Sequence, residues 1–139
     1  MTYQEKGVWV YIVVVLATYG VYLGIVFSQL ASTPVTSIDY VAPLLWTIGA
    51  SIVCAIVLRI VVEIVRPSES QRSDARDREI DGTGERLGRW ALIAGALGAL
   101  ILTITDSEHF WIANALYLGF VASAVLASLV KVRLYRRGF

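Results

Sequence analysis

Charge is what the apolar stretches of this chain lack. Charged residues make up 17% of the sequence against 57% hydrophobic, and no Asp, Glu, Lys, Arg or His stands in the middle of any long hydrophobic run. Proton-coupled transport usually exchanges its proton on a carboxylate held inside the membrane, so the empty deep positions argue against it. Cysteine is as scarce. Cys54 is the only one and falls within an apolar run, which excludes an intrachain disulfide and a cysteine-cluster metal site. Catalytic signatures are missing too. Gly82-Thr83-Gly84 has neither the preceding strand nor the further glycines of a dinucleotide fingerprint, and no Gly-Lys-Ser or Gly-Lys-Thr phosphate loop occurs. No Ser or Cys sits in a nucleophile motif with a histidine placed to activate it. The chain therefore reads as non-enzymatic, with no cofactor and no resident metal.

What the sequence has in abundance is lipid-compatible length. A mean hydropathy of +0.67 over 139 residues is too apolar for an ordinary soluble domain. Crossing roughly 30 Å of hydrocarbon takes about 20 helical residues. Four segments qualify: 8–30, 40–65, 87–104 and 110–134. The first is longer than the core of a signal peptide and has only Lys6 as a basic flank, so it reads as a retained span. Beta-branched residues are frequent, but in lipid the backbone must satisfy its hydrogen bonds within the segment, which selects helix. Continuous rather than alternating runs exclude a barrel. The fold class is an all-α integral membrane protein, a compact bundle of four transmembrane helices in a single membrane domain.

The connecting segments set the orientation. The link 31–39 has no Lys or Arg and neither does 105–109, whereas the central segment 66–86 and the tail are rich in them. Both termini and the central segment are thus expected in the cytoplasm of a bacterium or archaeon, the chain being multi-pass in the inner membrane. Tyr3, Trp9, Tyr40, Trp46, Trp90, Trp111 and Tyr135 lie near span ends, as interfacial anchors do. Pro67 stops the second helix, and Asp81-Gly82-Thr83-Gly84 is expected to break the chain before the third. A short surface helix is expected over 70–80, with Arg76 and Ile80 on one face. Thr105 or Asp106 is the expected cap of the fourth helix.

Few polar groups remain near the spans. Arg59 and Glu63, four residues apart on one face near the end of the second helix, are the closest approach to a membrane ion pair; snorkelling to the head groups is the leading expectation for them, and a polar site at the membrane mouth with Asn114 is the other. Asn114 and Thr103 are candidates for hydrogen bonds between helices. Ala91, Ala94, Gly95 and Gly98 form a small-residue stripe, more suited to packing within the bundle than to a dimer. Four thin helices enclose little room, so transport would need a homo-oligomer. Asp106, Glu108 and His109 crowd one turn, where capping and solvation account for them without metal or proton sensing.

The remaining feature is the charged insert over 68–89, with Arg66 just before it. Six arginines, Arg66 included, and six acids leave it nearly neutral, which argues against a simple polybasic lipid hook, and direct nucleic-acid binding is not indicated. Asp74, Arg76, Asp77, Arg78, Glu79 and Arg86 are the candidate partner-binding residues, since charge-matched groups give orientation and specificity. Self-pairing of the same residues across the cytoplasmic face is the competing expectation. The run Asp74-Ala75-Arg76-Asp77-Arg78-Glu79-Ile80, followed by Gly84-Glu85-Arg86-Leu87-Gly88, resembles the central signature of a family of small four-helix prokaryotic membrane proteins of uncharacterised function. The opening Phe-Trp-Ile-Ala-Asn-Ala-Leu over 110–116 and the ending Tyr135-Arg136-Arg137-Gly138 are similar to it as well. The resemblance covers roughly the second half of the chain. It implies an Asp-x-Arg-Asp-x-x-Ile cytoplasmic loop before the third helix and, because such proteins are often encoded beside helix-turn-helix regulators, a membrane component that holds or releases a cytoplasmic transcription regulator. The alternative is a small oligomeric transporter, permease or immunity-type protein for a hydrophobic or cationic compound, dependent on Glu63 or Asn114.

Overall fold

The computed structural model describes residues 2–69, 72 and 74–137. Among them are four α-helices, α1 (Tyr3–Leu30), α2 (Val41–Val65), α3 (Ala75–Ile104) and α4 (His109–Arg137), with one turn of 3-10 helix, Val35–Ser37, between the first two. All four are long and apolar enough to cross a membrane, which marks a multi-pass membrane protein.

Local chemistry sets the helix ends. Thr2 caps α1 by accepting from the Glu5 amide at 3.1 Å. α2 stops at Val65, and Arg66 and Pro67 follow. Asp74 caps α3 in a reciprocal box with Asp77: the Asp77 amide donates to Asp74 Oδ1 at 2.7 Å and the Asp74 amide donates to Asp77 Oδ2 at 3.1 Å.

The third helix corrects the sequence reading. It starts at Ala75 rather than at 87 and runs unbroken through Asp81-Gly82-Thr83-Gly84. The expected surface helix over 70–80 is the beginning of α3 in its described part, and Ser70, Gln71 and Ser73 lie outside the described residues, as does Gly138. The glycines serve packing. A Cβ on Gly84 would stand 2.9 Å from the Ala127 carbonyl oxygen, and one on Gly88 would stand 2.7 Å from that of Ser123. Glycine in a helix interior costs about 1 kcal/mol against alanine, and close approach of α4 offsets that cost. The expected caps of α4 are displaced as well: Thr105 is the C-cap of α3, and Asp106 takes the left-handed conformation with φ 54°.

Packing is open. α3 and α4 form the tightest pair, and α1 lies against both α2 and α4, so the order across the molecule is α2, α1, α4, α3 rather than a closed ring. Among the described residues of α2, Thr47 alone is buried, its hydroxyl 3.1 Å from that of Tyr117 on α4. The apolar core sits at the end holding the 31–39 link, where Tyr22, Val26, Ile38 and Phe110 are buried together. Tyr22 is 0% exposed; its hydroxyl donates to Asn114 Oδ1 at 2.7 Å, and Asn114 Nδ2 donates to the Phe110 carbonyl at 2.7 Å. Tyr22→Phe is expected to lower stability in detergent by about 1 kcal/mol, because it strands a partly buried amide oxygen. An unchanged unfolding midpoint would show that the bond adds nothing.

Candidate functional site

The polar chemistry collects at the opposite end. Lys6 near the start of α1 pairs with Glu63 near the end of α2 at 3.3 Å, and the Tyr135 hydroxyl of α4 donates to Asp77 Oδ1 of α3 at 2.8 Å. The start of α1, the end of α2, the start of α3 and the end of α4 therefore share one end. All twelve Lys and Arg lie toward it, with every acid except Asp39, Asp106 and Glu108.

Each candidate residue has a definite place there. Asp77 is only 8% exposed, and both its oxygens are used, one by the Asp74 amide and one by Tyr135. Asp74 spends its carboxylate on the cap. Arg76 extends along the end of α4, its Nη2 3.5 and 3.4 Å from the carbonyls of Leu134 and Tyr135. These are long contacts, but a cation there complements the negative end of the α4 dipole. Arg78 and Glu79 are exposed, and no side-chain hydrogen bond or ion pair joins either to the described residues. Arg86, also exposed, reaches Thr83 of its own helix at 3.4 Å and no other side chain among the described residues. The set expected to act together thus divides into groups engaged in the structure (buried Asp77, with the exposed Asp74 and Arg76) and a face without partners on other helices (Arg78, Glu79, Arg86).

The membrane-mouth trio is not assembled. Glu63 turns from Arg59 and accepts instead from the Ser68 amide at 2.8 Å, the Ser68 hydroxyl at 3.0 Å and Lys6. Lys6 also donates to the Arg66 carbonyl and to the Ser68 hydroxyl, tying the start of α1 to the end of α2. Spacing along a helix permits an Arg59–Glu63 pair, but the Ser68 turn offers Glu63 donors at better range. Arg59 stacks on Tyr3, with 4.2 Å from its Cζ to the ring centroid. Asn114 belongs to the far end with Tyr22. Thr103 bonds back to the Ala99 carbonyl of its own helix at 2.8 Å instead of crossing to another. No group of three His, Cys, Asp or Glu able to hold a metal occurs among the described residues; Asp106, Glu108 and His109 are all exposed.

Sequence reasoning missed the groups that join the helices. Lys131 bridges Asp81 at 2.7 Å and Glu85 at 2.6 Å, and Gly119, Ser123, Ala127 and Lys131 form the row of α4 that meets Gly84, Gly88 and Gly95. Their spacing of four was a readable signal for close helix packing. No family model matches the chain, and no curated protein or solved structure matches it.

Proposed function

We propose that this is a non-enzymatic prokaryotic inner-membrane protein, with the charged end in the cytoplasm, that works through protein contacts made on the outward face of the α3 extension. The observation that carries the reading is that Arg78, Glu79 and Arg86 are exposed on a helix while their neighbours Asp74 and Asp77 hold the structure together. A preformed helical face loses less freedom on docking than a flexible loop. Location of every Lys and Arg toward this end fits a cytoplasmic placement by charge bias. The resemblance carried by 74–80 and 84–88 supports a transcription regulator as the partner. The transporter alternative draws less support, since Glu63 and Asn114 lie at opposite ends and each is engaged in internal hydrogen bonds.

The test is a mild-detergent pull-down of the tagged protein from its native membrane with mass spectrometry. Replacing Arg78, Glu79 and Arg86 together by alanine is expected to remove a soluble regulator from the captured proteins, at least about tenfold, given the worth of charge-assisted contacts. The unfolding midpoint is expected to stay put. Capture that survives the triple change refutes docking through this face.

A further inference from the structure

A cavity of about 280 Å³ lies among α1, α2 and α4 beside the start of α3. Its charged lining is Arg59, Lys131 and Asp81. These charges are answered unequally. Lys131 is clamped between Asp81 and Glu85, whereas Arg59 has a buried Nε with no hydrogen-bond partner, and no carboxylate of the described residues pairs with it. Glu63, one turn farther along α2, is committed to Lys6 and Ser68. The guanidinium lines the cavity with no acceptor among the described residues, and a half-buried cation left without one bears a desolvation cost, so an anion is the missing complement.

The place of the guanidinium is shaped by α1. Tyr3 stacks on it, and a Cβ at Gly7 would stand 2.8 Å from its Cζ. Room exists there because residue 7 has no side chain. Farther in, a second cavity of about 220 Å³ lies among the same three helices, with Tyr11 and Ala55 lining both. Its walls are mainly apolar, including Val15, Ile48, Ile52 and Phe120. A polar chamber in which Arg59 is the unanswered charge among the described residues therefore adjoins an apolar chamber deeper in the molecule. That is the polarity of a membrane amphiphile. A planar guanidinium matches phosphate oxygens, and basic pockets between membrane helices suit anionic lipid head groups.

We propose that these adjoining chambers bind one anionic phospholipid, its phosphate on Arg59 and the first part of one acyl chain in the apolar chamber. The assignment is independent of docking on the outward face of α3, which uses other residues.

Native mass spectrometry of the full chain in mild detergent tests it, after incubation with phosphatidylglycerol, phosphatidylcholine or inorganic phosphate. One phosphatidylglycerol per chain is expected to be retained, and phosphatidylcholine about tenfold less, because its own choline already neutralises its phosphate and the lipid brings no net charge to Arg59. Arg59→Gln is expected to lower phosphatidylglycerol retention about tenfold through loss of a charge-assisted bond. Gly7→Val, which keeps the charge and fills its place, should do the same, while the distant control Arg89→Gln should retain lipid as the parent does. Thermal unfolding of each variant establishes which are folded, and Gly7→Val decides should Arg59→Gln not fold. Undiminished retention in the folded variants, or equal retention of the two lipids, overturns the proposal. Retention of inorganic phosphate with no lipid preference also overturns it, leaving a site for soluble anions.

Discussion

Gly95→Leu lowers stability by about 3 kcal/mol in a detergent unfolding titration, the upper part of the range for overpacking a tight contact. At Gly95 the neighbour is backbone: an added Cβ would stand 2.5 Å from the Cα of Gly119 and 3.4 Å from the Ala115 carbonyl oxygen. No rotamer change relieves a clash with main chain, so α3 and α4 must separate along the seam that joins them most closely. Gly98 is the matched control, with nothing within 4 Å of an added Cβ. Gly98→Ala should leave the midpoint unchanged or raise it by up to about 1 kcal/mol through helix propensity. Equal midpoints for Gly95→Leu and the parent would mean that the two helices do not meet there.

Asp77→Ala is expected to cost about 3 kcal/mol, combining the lost return bond of the capping box, which leaves the Asp74 amide without its acceptor, with a stranded hydroxyl on Tyr135. Arg78→Ala, one residue on, should fall within about 0.5 kcal/mol of the parent, as exposed substitutions do. Thermal midpoints in detergent and protease sensitivity near the start of α3 read both. A parent-like midpoint for Asp77→Ala would remove the structural role given to its carboxylate. The contrast also bears on binding experiments. Loss of a partner in a variant lacking Arg76 and Asp77 would follow from a loosened α3–α4 pair as readily as from a lost contact, whereas Arg78, Glu79 and Arg86 report on the surface alone.

Hydropathy made the four spans legible because lipid leaves a backbone few choices, and Gly95 was legible as a close-packing position. The true start of α3 was not. Gly82 and Gly84 read as breakers because glycine propensity is local, while the feature that overrides it, the Ala127 carbonyl and the Lys131 chain lying against Gly84, is more than forty residues away in sequence. Arg59 and Glu63 failed for a similar reason. Their spacing allowed a pair, but the competing donors on Lys6 and Ser68 come from another helix and a turn. The pairing of α1 with α4, made by Tyr22 and Asn114, also has no local trace. Inward and outward charges of the insert could be separated only once α4 was in place, since Asp77 and Glu79 look equivalent until Tyr135 finds one of them.

The continuity of α3 has a mechanical consequence. Its 30 residues make a rod about 45 Å long, with its charged first part about 18 Å of that length and no joint between the two parts. A pull at Arg78 is therefore not absorbed locally. Asp77, Gly84, Gly88 and Gly95 all bear on α4, so such a pull would be borne by the two helices as one stiff blade, and the strain would fall on the seam where α4 meets α1, at the packed rings of Tyr19, Tyr22 and Tyr117.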